Sequence, residues 1–155
     1  PMLDQTDRKI CALLQNNARA SSTEVAQAVS LSVSAANERI RRLAATGAIT
    51  GWRAALAPDR FDAALCAFVL IDMDFDGEDT AVAALSLRDE VQELHHISGP
   101  HSYLMKLRLA DTKALQNFLG NVVKPLPAVS RTETIITLDT AQETSAIAIP
   151  EGANG

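Results

Sequence analysis

The sequence predicts an α+β protein in which a small helical domain precedes a domain of alternating strands and helices of order βαββαβ. Helix-capping residues and apolar residues at helical spacing fill the first 49 residues. Segments in which apolar and polar residues alternate, as in half-buried strands, begin near residue 67. The net charge also changes sign between the two parts, so we expect two small domains with different roles.

The charge distribution is the first indication of those roles. The 155 residues carry a net charge of −5, which on its own argues against a nucleic-acid partner. Residues 1–60, however, contain eight Lys or Arg and five Asp or Glu, for a net charge of +3, whereas residues 61–155 contain six and fourteen, for −8. A basic module joined to an acidic one indicates that one part faces nucleic acid.

The N-terminal residues and the cysteines bear on the compartment. The first residues lack a signal-peptide pattern, and no apolar run approaches the roughly 18 residues of a membrane span. Cys11 and Cys66 are far apart and form no metal-ligand spacing, so we expect neither a disulfide framework nor a metal site. The sequence therefore predicts a cytoplasmic protein with no membrane partner, no cofactor and two small buried cysteines.

Three short helices are predicted in the basic part. The first, Asp4–Asn16, places apolar residues at i, i+3 and i+4 spacing. The segment Ser21–Glu24 forms a capping box at the start of the second helix. Ser32 or Ser34 can cap the third helix, which runs to about residue 46 and is closed by Gly47. A second and a third helix joined by so few residues are the helix-turn-helix arrangement.

The polar face of the third helix is where we expect contacts with double-stranded DNA. Small residues at its N-terminus allow close approach to base edges in the major groove, and the arginines that follow can reach phosphates. The alternative is a solvated helix face paired within itself, which the capped helix pair and the local positive charge disfavour. The candidate DNA-binding residues are Ser32, Ser34, Asn37, Glu38, Arg39, Arg41 and Arg42.

The acidic part is predicted to hold four strands and two helices, after a linker strand at Thr50–Leu56. Strands are expected at Ala67–Phe75, Val91–Ser98, Tyr103–Leu109 and Val129–Leu138, and helices at Thr80–Arg88 and after an Asp111 cap. This order is the ferredoxin-like arrangement, an antiparallel sheet with both helices on one face. Phe68, Leu70 and Leu104 are expected on the other, open face. An exposed apolar sheet face predicts association, so we expect a homodimer.

Short motifs in a fixed order run from residue 3 to residue 139. They are Leu3-Asp4-x-x-Asp7-x-x-Ile10, Ala18-Arg19-x-Ser21, Leu31-Ser32-x-Ser34, Glu38-Arg39-Ile40-Arg41-Arg42-Leu43-x-x-x-Gly47-x-Ile49, Gly51-Trp52, Leu56-x-Pro58, Ser98-Gly99, Tyr103-Leu104-Met105-Lys106, Leu126-Pro127-x-Val129 and Thr132-x-Thr134. Together they resemble the Lrp/AsnC family, the feast/famine regulators. The resemblance implies a sequence-specific transcriptional regulator that pairs through its second domain, with tetramers or octamers among the assemblies of the family.

The resemblance also implies a division of the chain. A winged-helix-type helix-turn-helix domain is expected at residues 1–49, and a linker strand and hinge at residues 50–62. A ferredoxin-like domain for ligand sensing and dimerisation is expected at residues 63–140, and a flexible tail at residues 141–155.

A ligand site is implied in the second domain, because family members bind a small molecule, commonly an amino acid, near the loop after the second strand. The matching residues are Gly99, Pro100, His101, Ser102 and Tyr103, with Thr134 from the last strand. For Tyr103 and Thr134 we expect a role in the core or an interface first, and a ligand contact second. The family usually has an acidic residue before the aromatic, where this chain has Ser102. A carboxylate pairs with an ammonium group and a hydroxyl offers a weaker contact. A different ligand, or no sensing, therefore stays open.

Two other function classes are alternatives to a DNA-binding regulator. Relatives of the same two-part architecture decarboxylate tetrapyrroles with the help of histidines, yet no catalytic triad, carboxylate pair or phosphate-binding glycine loop is present here. His95 and His96 are strand neighbours that point to opposite faces, so they cannot share a metal. A protein-interaction module is the other alternative, which the lack of an apolar anchor on the third helix disfavours. No catalytic residue is expected.

Overall fold

The structure is a computed structural model that describes residues 3–150. The chain divides into two compact units. One, here the helical unit, comprises the described residues up to 55 together with residues 142–150, and the other, the sheet unit, comprises residues 56–141. Within residues 3–150, no helix combines the length and the apolar character needed to cross a membrane.

The helical unit contains the three predicted helices. They are α1 (Gln5–Asn16), α2 (Ser22–Ala28) and α3 (Val33–Ala45). Each begins at a side-chain cap: Asp4, Ser21 and Ser32 each accept the backbone N–H of the residue three positions on. Ser32, rather than Ser34, is therefore the cap of α3. Gly47 follows α3 with a φ of 84°, the left-handed conformation that commonly ends a helix.

The core of the helical unit is small and evenly shared. Each helix contributes two buried apolar side chains, which are Ile10 and Leu14, Val25 and Ala26, and Ala36 and Leu43. Full burial of a side chain such as Leu43 contributes about 1.5–3 kcal/mol. Asp7 is the exception on the buried face of α1, because it is a charged residue that is only 6% exposed.

The sheet unit has the predicted βαββαβ order. Its elements are β1 (Leu65–Met73), α4 (Glu78–Ser86), β2 (Val91–His96), β3 (Tyr103–Leu109), α5 (Thr112–Phe118) and β4 (Val129–Ile136). The sheet is antiparallel in the order β2-β3-β1-β4. Leu85 of α4 and Phe118 of α5 pack with Val69 and Ile71 of β1 in one buried cluster, so both helices cover the same face. The predicted fold class is confirmed.

The opposite face of the sheet carries the predicted apolar residues. Leu70 lies opposite Leu104 on β3, and Phe68 lies opposite Ile135 on β4. Residues directly opposite in an antiparallel pair share a face. Phe68, Leu70 and Leu104 are half-buried, and Ile135 is 50% exposed. No helix of the sheet unit packs its buried side chains on this open face, as the sequence predicted.

The linker strand predicted at Thr50–Leu56 is not formed. Residues 51–57 have no regular secondary structure and are exposed, including Trp52 and Leu56. A strand needs a hydrogen-bonded neighbour, and the four-stranded sheet of the described chain does not include this segment. Three predicted strands also extend two residues too far at their C-terminal ends, since β1, β2 and β4 end at Met73, His96 and Ile136. β1 stops at Met73 because the register shifts there, which leaves Phe75 94% exposed in the following turn.

The segment after the sheet unit was predicted to be a flexible tail, and the structure differs over residues 142–150. The side-chain amide of Gln15 donates to the carbonyl of Ile147 at 2.7 Å, and its carbonyl oxygen accepts the N–H of Ile147 at 2.9 Å. Arg8 donates to the carbonyl of Pro150 at 3.1 Å. The Gln side-chain amide has N–H donors next to a carbonyl acceptor. It can therefore bond to both the C=O and the N–H of one backbone residue, as a neighbouring strand does. The last five residues of the predicted tail lie outside the described residues.

Candidate functional site

The exposed face of α3 carries most of the predicted DNA-binding residues. Ser34, Asn37, Glu38, Arg41 and Arg42 are all exposed. Ser32 is exposed too, but its hydroxyl is used by the helix, since Oγ accepts the N–H of Ala35 at 3.1 Å. The five other side chains are therefore free of the core and available to a large partner.

The charges on this face are partly paired with each other. Arg41 Nη2 lies 2.6 Å from Glu38 Oε1, and its Nε donates to the other carboxylate oxygen at 3.1 Å. The hydrogen bond from Arg41 holds the pKa of the Glu38 carboxyl below its ordinary value. Both side chains are more than half exposed, and exposed ion pairs contribute little to stability. DNA phosphates can therefore compete with Glu38 for the guanidinium.

Arg39 is placed differently from the other two arginines of α3. Its Nη1 lies 2.7 Å from Asp4 Oδ2 and 3.0 Å from Asp7 Oδ1, and its side chain is only 26% exposed. Arg39 was predicted as a DNA contact, and the structure instead sets it against α1. The signal missed in the sequence is Asp7, which lies three residues before Ile10 on the apolar face. A buried carboxylate there requires a cation.

The predicted ligand loop, residues 99–103, joins β2 to β3, and its side chains are largely used within the sheet unit. Ser102 closes the end of β1: its backbone N–H donates to Ile71, and its Oγ accepts the N–H of Met73 at 3.1 Å. Gly99 has a φ of 102°, a conformation that favours glycine and turns the chain here. Pro100 is exposed.

His101 lies between two carboxylates on the open face of the sheet. Its Nδ1 is 2.8 Å from Asp72 Oδ1 of β1, and its Nε2 is 3.5 Å from Glu133 Oε2 of β4. His101 and Asp72 are largely covered, with side chains 21% and 28% exposed, whereas Glu133 is 54% exposed. Three ionisable groups from three segments therefore meet next to the loop, and sequence spacing gave no sign of this cluster.

Tyr103 and Thr134 lie away from His101, on the face that the helices cover. Tyr103 stacks on His96, with ring centroids 5.0 Å apart. Its pKa is raised, first by burial and then by the nearby acidic groups Glu78 and Asp79. Thr134 lies opposite the buried Val69. The predicted ligand residues are thus divided between the two faces of the sheet.

The other two histidines, His95 and His96, lie on opposite faces of the sheet, as the sequence predicts. His96 faces the helices through its stack on Tyr103. His95 lies opposite Leu104 on the open face, where its Nε2 is 3.0 Å from Glu93 Oε1. Neighbouring strand residues point to opposite faces, so the two imidazoles are separated by the sheet.

Comparison with known proteins covers both units. An AsnC-type helix-turn-helix domain matches residues 3–44, and an Lrp/AsnC ligand binding domain matches residues 66–147. The leucine-responsive regulatory protein of Escherichia coli K12 is 36% identical over 153 residues, which cover 95% of this chain and 92% of that protein.

Two solved structures that resemble the chain contain an amino acid. The feast or famine regulatory protein from M. tuberculosis complexed with L-methionine is 33% identical, with a TM-score of 0.88, and covers 96% of this chain and 100% of its own. A transcriptional regulator from Neisseria meningitidis in complex with L-Met is 25% identical, with a TM-score of 0.88, over 95% and 97% of the two chains.

Proposed function

The chain belongs to the Lrp/AsnC family of transcriptional regulators, and from that premise we propose that the exposed face of α3 binds a specific site in double-stranded DNA. The family consists of DNA-binding regulators with a helix-turn-helix domain, so the protein is a regulator and not an enzyme. The tetrapyrrole decarboxylase alternative is therefore set aside. We also propose a cytoplasmic location, because a transcriptional regulator acts where the DNA is.

The observation that carries this proposal is the polar face of α3. Ser34 and Asn37 are small or planar polar groups near the N-terminus of the helix, where base edges are read in the major groove. Arg41 and Arg42 are also exposed and lie about one to two helical turns after Ser34 and Asn37. From there their side chains can reach the phosphates beside the groove. The small or planar side chains therefore allow close approach to a DNA duplex, and the arginines supply positive charge for its phosphates.

We further propose that the protein acts as a homodimer formed through the open face of the sheet, with tetramers or octamers as larger assemblies. The half-buried residues Phe68, Leu70 and Leu104 form the apolar part of that face. A two-fold dimer presents two copies of α3 to half-sites about one helical turn, roughly 34 Å, apart. The acidic sheet unit then faces away from the DNA.

An amino acid is the proposed effector, because two structural relatives hold L-methionine. The loop of residues 99–103 lacks the usual carboxylate, and the Ser102 hydroxyl already accepts a backbone N–H. On the open face of the sheet, Asp72 and Glu133 are negative groups beside this loop, and both pair with His101. An ammonium group would compete with the His101 imidazole for these carboxylates. Calorimetric titration with L-methionine and with L-leucine tests this, and an absence of heat with both argues for a different effector.

The experiment on DNA uses the double variant Arg41→Ala/Arg42→Ala. Wild-type protein first selects duplexes from a random library, and affinity for a selected duplex is then measured at several salt concentrations. The variant loses two phosphate contacts from each copy of α3 in the proposed dimer, four in all. Binding should therefore weaken at least about tenfold, and the slope of log K against log salt should become shallower by about 4. Unaltered binding by the double variant would show that this face does not contact DNA.

The matched control removes two positive charges from the sheet unit. Lys113 and Lys124 are exposed on that unit, so Lys113→Ala/Lys124→Ala changes the net charge by the same amount as the double arginine variant. We expect its DNA affinity and salt slope to equal those of the wild type. A similar loss with both variants would mean that net charge alone, and not the face of α3, governs binding.

A further inference from the structure

Arg39 stands among the arginines of α3, yet its contacts join α3 to α1. Asp4 has two functions in this arrangement. Its Oδ1 accepts the N–H of Asp7 at 2.7 Å and so caps α1, while its Oδ2 accepts Arg39 Nη1 at 2.7 Å. The same Nη1 donates to Asp7 Oδ1 at 3.0 Å. A single guanidinium therefore connects the N-terminal turn of α1 to the middle of α3.

Asp7 and Arg39 are the two least exposed members of this ion-pair cluster, and their burial makes the pairing important for the fold. The Asp7 side chain is 9% exposed and that of Arg39 is 26% exposed. A carboxylate this far from water is unfavourable unless a cation and hydrogen bonds satisfy it. Loss of either partner leaves the other poorly satisfied. The Asp7–Arg39 pair is therefore much less exposed to water than the Glu38–Arg41 pair, whereas the Asp4 side chain is 54% exposed.

Helix geometry relates this anchor to the exposed arginines. At 100° per residue, Arg41 lies about 200° around α3 from Arg39, which is nearly the opposite side of the helix. The side of α3 that carries Arg39 faces α1, so Arg41 is directed outward. Rotation of α3 about its own axis would break the contacts with Asp4 and Asp7. The contacts of Arg39 thus fix the rotational setting of the proposed DNA-binding face together with the buried Ala36 and Leu43.

We propose that Arg39 is a positioning residue for DNA recognition, which fixes the rotation of α3 through Asp4 and Asp7 and does not itself contact phosphate. This inference rests on the proposed DNA contacts of Arg41 and Arg42. It predicts that acidic residues on α1 support binding to a polyanion. A direct phosphate contact by Arg39 predicts the opposite, because removal of nearby negative charge then strengthens binding.

The test is a double-mutant cycle with Arg39→Gln, Asp4→Asn and the double variant, measured on a wild-type-selected duplex and on an unrelated duplex. Asn caps a helix as well as Asp does, so Asp4→Asn removes the ion pair and keeps the cap. We expect Arg39→Gln to weaken specific binding about three- to tenfold, and Asp4→Asn by a smaller factor because it leaves the Arg39–Asp7 contact in place. The double variant should be no weaker than Arg39→Gln alone.

Further readouts separate positioning from general loss of structure. Circular dichroism must show each variant folded at the assay temperature, and binding to the unrelated duplex should change less than binding to the selected one. The salt slope should stay that of the wild type in both single variants. Glu24→Gln is the matched control, because it removes an exposed negative charge from α2 and should not weaken binding.

Three results would overturn the positioning role. They are a salt slope of Arg39→Gln that is shallower by about 2, which is one lost contact in each copy of α3, tighter binding by Asp4→Asn, and additive losses in the double variant. The proposed function fails separately, if Arg41→Ala/Arg42→Ala leaves binding unaltered. Where that pair weakens binding and Arg39→Gln also lowers the salt slope, only the positioning role is wrong.

Discussion

The exposed face of α3 and the predicted ligand loop of residues 99–103 use their polar side chains in different ways. On α3, Asn37 is exposed and Glu38 pairs at the surface with Arg41. In the loop, Ser102 is hydrogen-bonded to the backbone of β1 and His101 is held between two carboxylates. We expect substitutions of the polar side chains on α3 to leave the stability of the fold nearly unchanged. The polar side chains of the loop, in contrast, make contacts that hold the sheet unit together. Substitutions in the loop should therefore alter stability and ligand response together.

The largest expected contrast is between Tyr103→Ala and Val33→Ala. Tyr103 is half-buried at the end of the loop and stacks on His96, so its truncation should lower the free energy of unfolding by about 2–4 kcal/mol. Val33 is 43% exposed at the start of α3, and its truncation should cost less than about 1 kcal/mol. Urea denaturation measures both. Equal losses would remove the distinction between the two regions.

A finer comparison uses the same substitution at two serines. Ser102→Ala deletes the acceptor of the Met73 N–H at a half-buried position, and should cost about 1–2 kcal/mol. Ser34→Ala, on the exposed face of α3, should change stability by less than about 0.5 kcal/mol. Thermal and urea unfolding of the two variants provide the measurement. A destabilising Ser34→Ala would show that the face of α3 also supports the fold.

Glu38→Gln tests whether the surface pair on α3 restrains DNA binding. The change frees Arg41 and removes a negative charge, so affinity for an unrelated duplex should rise about two- to threefold. Stability should stay within about 0.5 kcal/mol of the wild type, since the pair is exposed. Affinity from fluorescence anisotropy is the readout. A decrease in affinity would indicate that Glu38 itself orders the binding face.

The smallest effect concerns the pH dependence of stability at Asp4. The pKa of its carboxyl is lowered, first by the hydrogen bond from Arg39 and then by that from the Asp7 N–H. A lowered pKa in the folded state adds stability that is complete above the unfolded value of about 3.9 and is lost as the pH falls through the folded value. Wild type should therefore have a slightly higher Tm than Asp4→Asn at pH 7. The difference should decrease as the pH falls below about 4 toward the lowered folded value, and a constant difference would contradict the ion pair.

Local signals predicted most of the fold. The caps Asp4, Ser21 and Ser32 and the apolar periodicity located three helices, because these interactions lie within a few residues. Alternation located the four strands and the open face in the same way. The errors depend on distant partners. The linker strand lacks a neighbour in the sheet, and Ile147 pairs with Gln15 across 132 residues.

The candidate site shows the same limit. The exposed residues of α3 follow from helical periodicity, which places them opposite the core. Periodicity put Arg39 on the flank of that face and could not identify its partner 32 residues earlier, Asp7. The cluster of His101, Asp72 and Glu133 needs the register of β1 and β4, which the sequence leaves open.

The pairing of Gln15 with Ile147 has a consequence for how the protein is made. The helical unit is assembled from two stretches that are separated by the whole sheet unit. On the ribosome, α1 emerges while the partner of Gln15 has not yet been synthesised. The helical unit can therefore form these hydrogen bonds only after the whole sheet unit has been translated.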